Sequence, residues 1–189
     1  MESVLDRVIK QNTENVNLLK TKDYNIFSVL QIQSKEVLIC RMIADLLNPR
    51  GQHGAGAEYL KIFLRDCLGM EKMDTKLADQ AIVTAEYAID DERRIDIVIE
   101  MGSYFLPIEV KIYAADQKSQ CFDYYQYAKR RDAQAKVYYL TLDGHRPGKD
   151  STSSGSQSVP EEDIVCLSFR EHILNWLKAC KSCENTGMV

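Results

Sequence analysis

The sequence predicts an α/β protein in which helices flank a mixed central sheet. Residues 1–70 have the apolar spacing of helices, and residues 81–113 instead alternate apolar and polar side chains, as strands do. Beyond them, a helix-like run separates two further strand-like runs. A helix between two strands favours a parallel connection, whereas the preceding run favours an antiparallel meander, so the sheet is expected to be mixed.

Length and composition are ordinary for a globular domain. The chain has 189 residues, of which 45% are hydrophobic and 28% charged, enough for one sizeable core. We therefore expect a single domain over residues 1–189, mainly helical over 1–70, with the sheet and its helices over 80–180. The polar segment 148–162 is expected to be a mobile loop. Because no signal-peptide core or membrane span is visible, the sequence predicts a cytoplasmic protein without membrane contact.

Each element follows from local pattern. After a loosely periodic stretch, helices are expected over 35–47, ended by Asn48-Pro49, and over 59–69, closed by Gly69. Later helices are expected over 116–131 and 170–180. Strands are expected over the following β-branched or alternating runs: 81–89, 94–101, 104–113, 136–144 and 163–169.

The charge balance limits the function. A net charge of −4 argues against a protein that coats nucleic acid non-selectively, because such proteins carry a large positive excess. A local basic surface remains open, although each of its members is also explained as part of a solvated face: Arg93-Arg94, Lys129 to Arg131, and Arg146 with Lys149. The lone Cys180-x-x-Cys183 pair lacks the second ligand pair of a zinc site.

Charged residues interrupt the two apolar strands of "RRIDIVIEMGSYFLPIEVK". If Gly102-Ser103 forms a two-residue turn, the numbers of facing residues sum to 205. Asp96 then faces Glu109, and Arg94 faces Lys111. Because side chains alternate along a strand, all four are expected on one face. A cross-strand quartet of salt bridges on a solvated face is one explanation of this pattern.

A metal site is the other explanation. Two facing carboxylates repel each other unless a cation bridges them or they share a proton. Mg²⁺ takes oxygen ligands and commonly uses one or two carboxylates together with substrate phosphate. Lys111, two residues beyond Glu109 on the same face, can then reach a water molecule or a phosphate oxygen beside the ion.

The spacing Asp96-x12-Glu109-x-Lys111 resembles the core motif of the PD-(D/E)xK nuclease superfamily. The flanking "RGQHGAGAE" loop, "RID" entry and "ADQxxQ" exit resemble a bacterial and phage branch of it, from about Asn25 to the last helix. The resemblance implies a restriction-endonuclease-like three-layer core with an N-terminal helical region. It also implies phosphodiester hydrolysis with Mg²⁺, for which Mn²⁺ substitutes. Asp96, Glu109 and the Val110 carbonyl would bind the metal, and Lys111 would orient or deprotonate water.

The resemblance extends to two helices. Glu36 matches an acid that superfamily members place beside the metal, and it equally suits the first turn of a helix with Ser34 as N-cap. Gln120 and Tyr124 resemble a Gln…Tyr motif that holds the scissile phosphate or the DNA backbone, and Gln117 shares their helix face. A polar face that packs Tyr124 against the sheet explains the same spacing.

We therefore expect a metal-dependent nuclease whose partner is nucleic acid, DNA above all, with assembly into a homodimer left open. The rival is a catalytically inactive nucleic-acid-binding or inhibitory module on the same fold. The intact Asp96, Glu109 and Lys111 set favours the enzyme, and a purely structural domain with surface ion pairs is the third interpretation. His53 is expected to order the glycine-rich loop. Glu86 is expected to be structural or to occupy a recurrent acidic position of these nucleases.

Overall fold

The computed structural model describes residues 35–71 and 73–184, and from Glu36 onward these belong to one compact unit, Glu36–Val189. The helix-like stretch near the N-terminus lies outside the described residues. The helices are α1 (Glu36–Leu47), α2 (Glu58–Asp66), α3 (Thr75–Asp79), α4 (Gln120–Arg131), α5 (Lys149–Thr152) and α6 (Leu174–Glu184), the last preceded by a π-helical turn, Phe169–Ile173. The strands are β1 (Ile82–Ala88), β2 (Arg94–Met101), β3 (Tyr104–Lys111), β4 (Val137–Thr141), β5 (Ser153–Ser154), β6 (Gln157–Ser158) and β7 (Ile164–Ser168).

The central sheet has five strands in the order β1-β2-β3-β4-β7. The first three pair antiparallel, as a meander does, and β3-β4 and β4-β7 pair parallel. Helix α4 provides the crossover between β3 and β4, which a parallel pair requires. The expected mixed α/β architecture, a sheet flanked by helices as in restriction-endonuclease-like folds, is confirmed.

The β2–β3 hairpin has the register that its turn predicts. Met101 pairs with Tyr104, and the ladder continues to Ile97 opposite Ile108, so every pair sums to 205. Gly102 adopts φ +57°, a conformation that glycine reaches without steric cost. Pro107, which has no N–H to donate, lies opposite Val98.

Helices cover both faces of this hairpin. One apolar cluster joins Ile97, Ile99 and Ile108 of the sheet to α1, α2 and the buried Trp176 of α6. Trp176 donates its indole N–H to the carbonyl of Tyr59 at 2.8 Å, which anchors α6 on α2. The opposite face packs Val98 and Phe105 against Tyr124 and Ala128 of α4. The charged end of the hairpin is thereby placed between two helical layers.

Three features differ from the sequence expectations. Helix α4 begins at Gln120 rather than near residue 116, because Ser119 has a left-handed backbone with φ 57°. Helix α3 was not expected. The segment 148–162 contains α5 and the β5–β6 hairpin, although its mobility stays a prediction. Among the described residues, no helix has the length and apolar character that crossing a membrane requires.

Candidate active site

The Asp96 and Glu109 carboxyl groups converge where the β2–β3 ladder ends. One residue beyond the Ile97–Ile108 pair, Asp96 Oδ2 accepts the backbone N–H of Val110 at 2.8 Å. The Asp96 side chain therefore ties β2 to β3 next to Glu109. The two carboxyl groups are close enough for each to shift the pKa of the other. The structure thus brings together the two acids that the hairpin register pairs.

Lys111 adds a third charged group beside half-buried Asp96 and buried Glu109. Its Nζ lies 2.6 Å from Glu109 Oε1, and the two residues are only 8% and 1% exposed. The contact is close but poorly aligned, so within the described chain neither Glu109 oxygen accepts a hydrogen bond of good geometry. A buried polar atom without such a bond costs about 1–3 kcal/mol, and more if it is charged. Glu109 Oε2 is therefore left without a partner, and Oε1 has only the ion pair with Lys111.

Burial governs protonation at this site. It raises the pKa of Glu109 to about 8, and the Asp96 charge adds to the rise despite nearby Lys111. Burial also raises the pKa of Asp96, against the opposing effects of the Val110 N–H and Lys111. Burial alone would lower the pKa of Lys111, but Glu109 outweighs it and the pKa is raised. Without a cation, the carboxyl pair consequently retains a proton at neutral pH, and Lys111 is charged.

Glu36 reaches the site through the backbone. From the first turn of α1, its Oε1 accepts the N–H groups of three successive residues at 2.7, 2.7 and 3.0 Å: Ile112, Tyr113 and Ala114. Burial alone would raise the pKa of Glu36, but these donors and Lys111 outweigh it and lower the pKa. The carboxylate therefore clamps the segment that directly follows Lys111. The alternative N-cap, Ser34, lies outside the described residues.

The three expected substrate-binding residues are engaged within the protein. The Tyr124 hydroxyl donates to the carbonyl of Arg94, and Gln120 Nε2 donates to that hydroxyl at 3.0 Å. Gln120 and Tyr124 are buried, whereas Gln117 is exposed and accepts a bond from Arg93 Nη1 at 2.9 Å. These contacts fix α4 against the start of β2, as the packing alternative expects. A role in holding phosphate stays a prediction for all three.

The exposed salt-bridge quartet does not form. Arg94 is exposed and makes no ion pair within residues 35–71 and 73–184, whereas Glu109 and Lys111 are buried. Its neighbour Arg93 pairs with Asp123 of α4 at 3.0 Å. The face that carries the acids is therefore covered by protein.

His53 and Glu86 have structural contacts. His53 Nδ1 accepts the N–H of Ala55 at 3.1 Å, so Nε2 carries the proton and donates to the carbonyl of Asn48 at 3.0 Å. The histidine thus orders the glycine-rich loop, as expected. Glu86 has φ 55° within β1 and pairs with Arg41 of α1 at 2.6 Å.

Asp116 is a residue that the sequence did not single out. Its Oδ1 accepts the hydroxyl of Tyr139 and its Oδ2 accepts the N–H of Gly148, both at 2.7 Å. Tyr139 lies beside Glu109 in the β3–β4 register. Asp116 occurs in the "ADQ" exit motif, but its partners depend on a parallel register that no local pattern sets.

A family model places this geometry among known proteins. The model of the PD-(D/E)XK nuclease superfamily matches residues 24–187. The chain belongs to the PD-(D/E)XK nuclease superfamily. No curated protein and no solved structure shows significant similarity to it. In this superfamily member, the acid and Glu-x-Lys parts of the motif lie on β2 and β3, respectively.

Membership of this superfamily implies a divalent metal ion. The carboxylate oxygens present fit an ion that takes few of its ligands from the protein. Within the described ranges, no group of three or more His, Cys, Asp or Glu side chains is arranged to hold an ion. Asp96 and Glu109 offer oxygen donors, and the two Glu109 oxygens lack aligned partners. Mg²⁺ commonly takes only one or two carboxylates and fills its shell with water and phosphate oxygens. The Val110 N–H is donated to Asp96, and a role of its carbonyl as ligand stays a prediction.

Proposed function

We propose that this protein is a metal-dependent nuclease that hydrolyses phosphodiester bonds, with DNA as substrate, Mg²⁺ as the metal and Mn²⁺ as its substitute. Superfamily membership supports phosphodiester hydrolysis in general. The observation that carries the finer proposal is the convergence of half-buried Asp96 with buried Glu109 and Lys111, in which the Glu109 oxygens lack aligned donors.

In the proposed mechanism Asp96 and Glu109 would hold the ion. When bound, the cation supplies Lewis-acid stabilisation of charge on the phosphate and lowers the pKa of water. Asp96 is oriented by the Val110 N–H, so its position is set before substrate arrives. The proton that burial retains on the carboxyl pair would pass to solvent so that both carboxylates could hold the ion. Because both carboxyl groups stand on paired strands rather than on loops, their separation is maintained by the sheet.

Lys111 would stabilise the negative charge that develops on the phosphate, or orient the attacking water. Its ammonium group contacts Glu109 at 2.6 Å and, once that carboxylate is otherwise engaged, can turn to a phosphate oxygen or to the attacking water. A fixed positive donor aimed at developing negative charge lowers the barrier most where water is excluded. Only 8% of Lys111 is exposed, which meets that condition.

Four further residues support the site in this proposal. Glu36 fixes the backbone beyond Lys111, and Gln120 and Tyr124 fix the strand that carries Asp96. Gln117 is the member of the set that is exposed and able to meet nucleic acid directly. Glu36 is therefore a positioning residue here, although sequence resemblance suggested an acid beside the metal.

Cleavage of supercoiled plasmid with Mg²⁺ or Mn²⁺ tests the proposal. We expect nicked or linear product from the wild type, none with EDTA, and a decrease of about 10²-fold or more in Lys111→Ala. Lys76→Ala, which removes an exposed lysine on α3, is the matched control and should cleave normally. Cleavage of labelled DNA and RNA oligonucleotides of one sequence shows which nucleic acid is the substrate. If the wild type cleaves no faster than Lys111→Ala, the protein is a binding or inhibitory module instead.

A further inference from the structure

A cleft of about 410 Å³ opens between the segment after β4 and the β5–β6 hairpin. The volume is that of a small-ligand site. Two cations and three hydroxyl groups line much of it, beside the acid Glu161: Arg146, Lys149, Thr152, Ser153 and Ser158. This combination is typical of sites that bind phosphate.

The two cations are available to a ligand. Arg146 and Lys149 are exposed, and within the described chain neither forms an ion pair. Arg146 donates one bond, from Nη2 to the backbone carbonyl of Glu161 at 3.0 Å. A guanidinium has five N–H donors, so others remain free to point into the cleft. Because Glu161 is the one acid in the lining, positive charge is in excess there.

The wall of the cleft is fixed to the start of α4. The Ser119 N–H donates to the backbone carbonyl of Asp150 at 2.7 Å. The Ser119 hydroxyl donates to the backbone carbonyl of Ser153 at 2.8 Å. Ser151 is fully buried and accepts the N–H of Cys121 at 3.3 Å. These bonds build a defined surface from a serine-rich segment whose composition offers little apolar packing.

The cleft is connected to the candidate active site through Asp116. This carboxylate binds the Gly148 N–H, next to Lys149, and the hydroxyl of Tyr139. Tyr139 is the β4 neighbour of Glu109, and adjacent strands lie ~4.8 Å apart. A path of hydrogen bonds thus runs from the cleft to the strand next to Glu109, so the cleft lies on the β4 side of the candidate active site.

We propose that this cleft is an anion site that binds a backbone phosphate of the nucleic-acid strand held at the active site. The assignment rests on the proposed nuclease function. Arg146 offers the forked donors that suit phosphate oxygens, and Lys149 adds a point charge. A free phosphate or a mononucleotide has the same chemistry, so the experiment separates these ligands from a nucleic-acid strand.

Salt-dependent binding tests the site without requiring cleavage. A fluorescein-labelled DNA duplex is titrated in EDTA at several salt concentrations, and fluorescence anisotropy gives the affinity. For Arg146→Ala/Lys149→Ala, the slope of log K against log salt should become shallower by about 0.9, since both side chains hold one phosphate and a lost phosphate contact removes ~0.9. The affinity should also decrease roughly tenfold or more. Arg65→Ala/Lys76→Ala, which removes two exposed cations of α2 and α3, should change neither quantity.

The outcomes separate this inference from the nuclease proposal. An unchanged slope and affinity in the Arg146/Lys149 variant overturn the inference, while plasmid cleavage by the wild type leaves the nuclease proposal standing. If the Arg146/Lys149 variant binds DNA more weakly, as expected, but the wild type does not cleave plasmid, the anion site is supported and the nuclease proposal is contradicted. Inorganic phosphate and a mononucleotide are titrated in parallel. If either binds in an Arg146-dependent manner while duplex binding is unaffected, the ligand is free phosphate and the strand assignment is wrong.

Discussion

The Asp96 side chain is held by the backbone N–H of Val110, across the gap between β2 and β3. Val110 directly follows Glu109, so this bond sets the distance between the two carboxyl groups. The bond also uses one Asp96 oxygen as a structural acceptor, which leaves the other for chemistry. Asp96 therefore has two roles, one in supporting the hairpin and one in the chemistry of the site. Substitutions of Asp96 can separate these roles.

Asp96→Asn should separate them. The asparagine carbonyl can still accept the Val110 N–H, so thermal stability should be near that of the wild type while cleavage decreases by about 10²–10³-fold. Asp96→Ala leaves the buried N–H unpaired and should cost about 1–3 kcal/mol in urea denaturation as well. Wild-type cleavage by Asp96→Asn would exclude a role of the Asp96 charge in the reaction.

The raised pKa of Glu109 predicts an unusual pH dependence of stability. In the folded, metal-free protein its pKa is about 8, above the ordinary value of 4.5, so the folded state binds the proton more tightly than the unfolded state. This contribution is fully present below about pH 4.5 and is lost as pH rises through about 8. In EDTA, stability should decrease from about pH 5 to 9, on the order of a few kcal/mol.

Glu109→Gln removes this titration and should flatten the pH profile of the melting temperature, which makes the variant more stable than the wild type at pH 9. Glu100→Gln is the matched control on the same hairpin, where Glu100 is paired with Arg131 near the surface. Its profile should follow that of the wild type. Parallel profiles for the wild type and Glu109→Gln would show that Glu109 does not retain the proton.

Divalent cations should reverse the loss of stability at high pH. A ligand that binds only the folded state at 100 times its dissociation constant stabilises it by about 2.7 kcal/mol. Because the carboxylates must be deprotonated to bind, the shift in melting temperature with Mg²⁺ or Mn²⁺ should be larger at pH 8.5 than at pH 6. Glu109→Gln should show little shift. Equal shifts in the two proteins would indicate binding elsewhere.

The hairpin could be predicted from the sequence because its determinants are local. A two-residue turn with glycine in its first position sets the register, and alternation assigns Asp96 and Glu109 to one face. Likewise, Pro49 correctly predicted the end of α1. What alternation does not reveal is whether that face meets water. Here α4 covers it, and Tyr124 contacts the Arg94 carbonyl, so Glu109 and Lys111 are buried rather than solvated.

Contacts between distant segments were not predictable. Glu36 meets residues 112–114 across more than 70 positions of chain, and its helical spacing suggested only a first-turn acid or a metal neighbour. The partners of Asp116 depend on the parallel β3–β4 register, which α4 sets through its packing. The serine-rich wall of the cleft has few apolar residues, yet it is fixed by hydrogen bonds to Ser119. Amino-acid composition indicates how much apolar packing a segment can form, but it does not reveal hydrogen bonds to distant residues.

Glu36 is expected to act on the site through its hydrogen bonds rather than its charge. Glu36→Gln keeps an Oε1 that can accept the three N–H groups, so cleavage should stay within a few-fold of the wild type. Glu36→Ala releases the segment after Lys111, and a displaced catalytic group can cost about 10²-fold in rate. Plasmid cleavage and melting temperature are measured for both variants. Glu58→Gln, which changes the first-turn acid of α2, is the matched control and should behave as wild type.

The pair of variants distinguishes a clamp from a metal ligand. A neutral amide is a poor substitute for a carboxylate at a divalent ion, so a ligand role predicts that glutamine and alanine lose activity to the same extent. A clamp instead predicts that Glu36→Gln keeps cleavage activity that Glu36→Ala loses. The dependence of cleavage on Mg²⁺ concentration should then be like that of the wild type. Since all three bonds end on one oxygen and lie within three residues of Lys111, loss of the acceptor should lower kcat more than it raises KM. Equal loss in both variants, with a higher Mg²⁺ requirement, would place Glu36 at the metal.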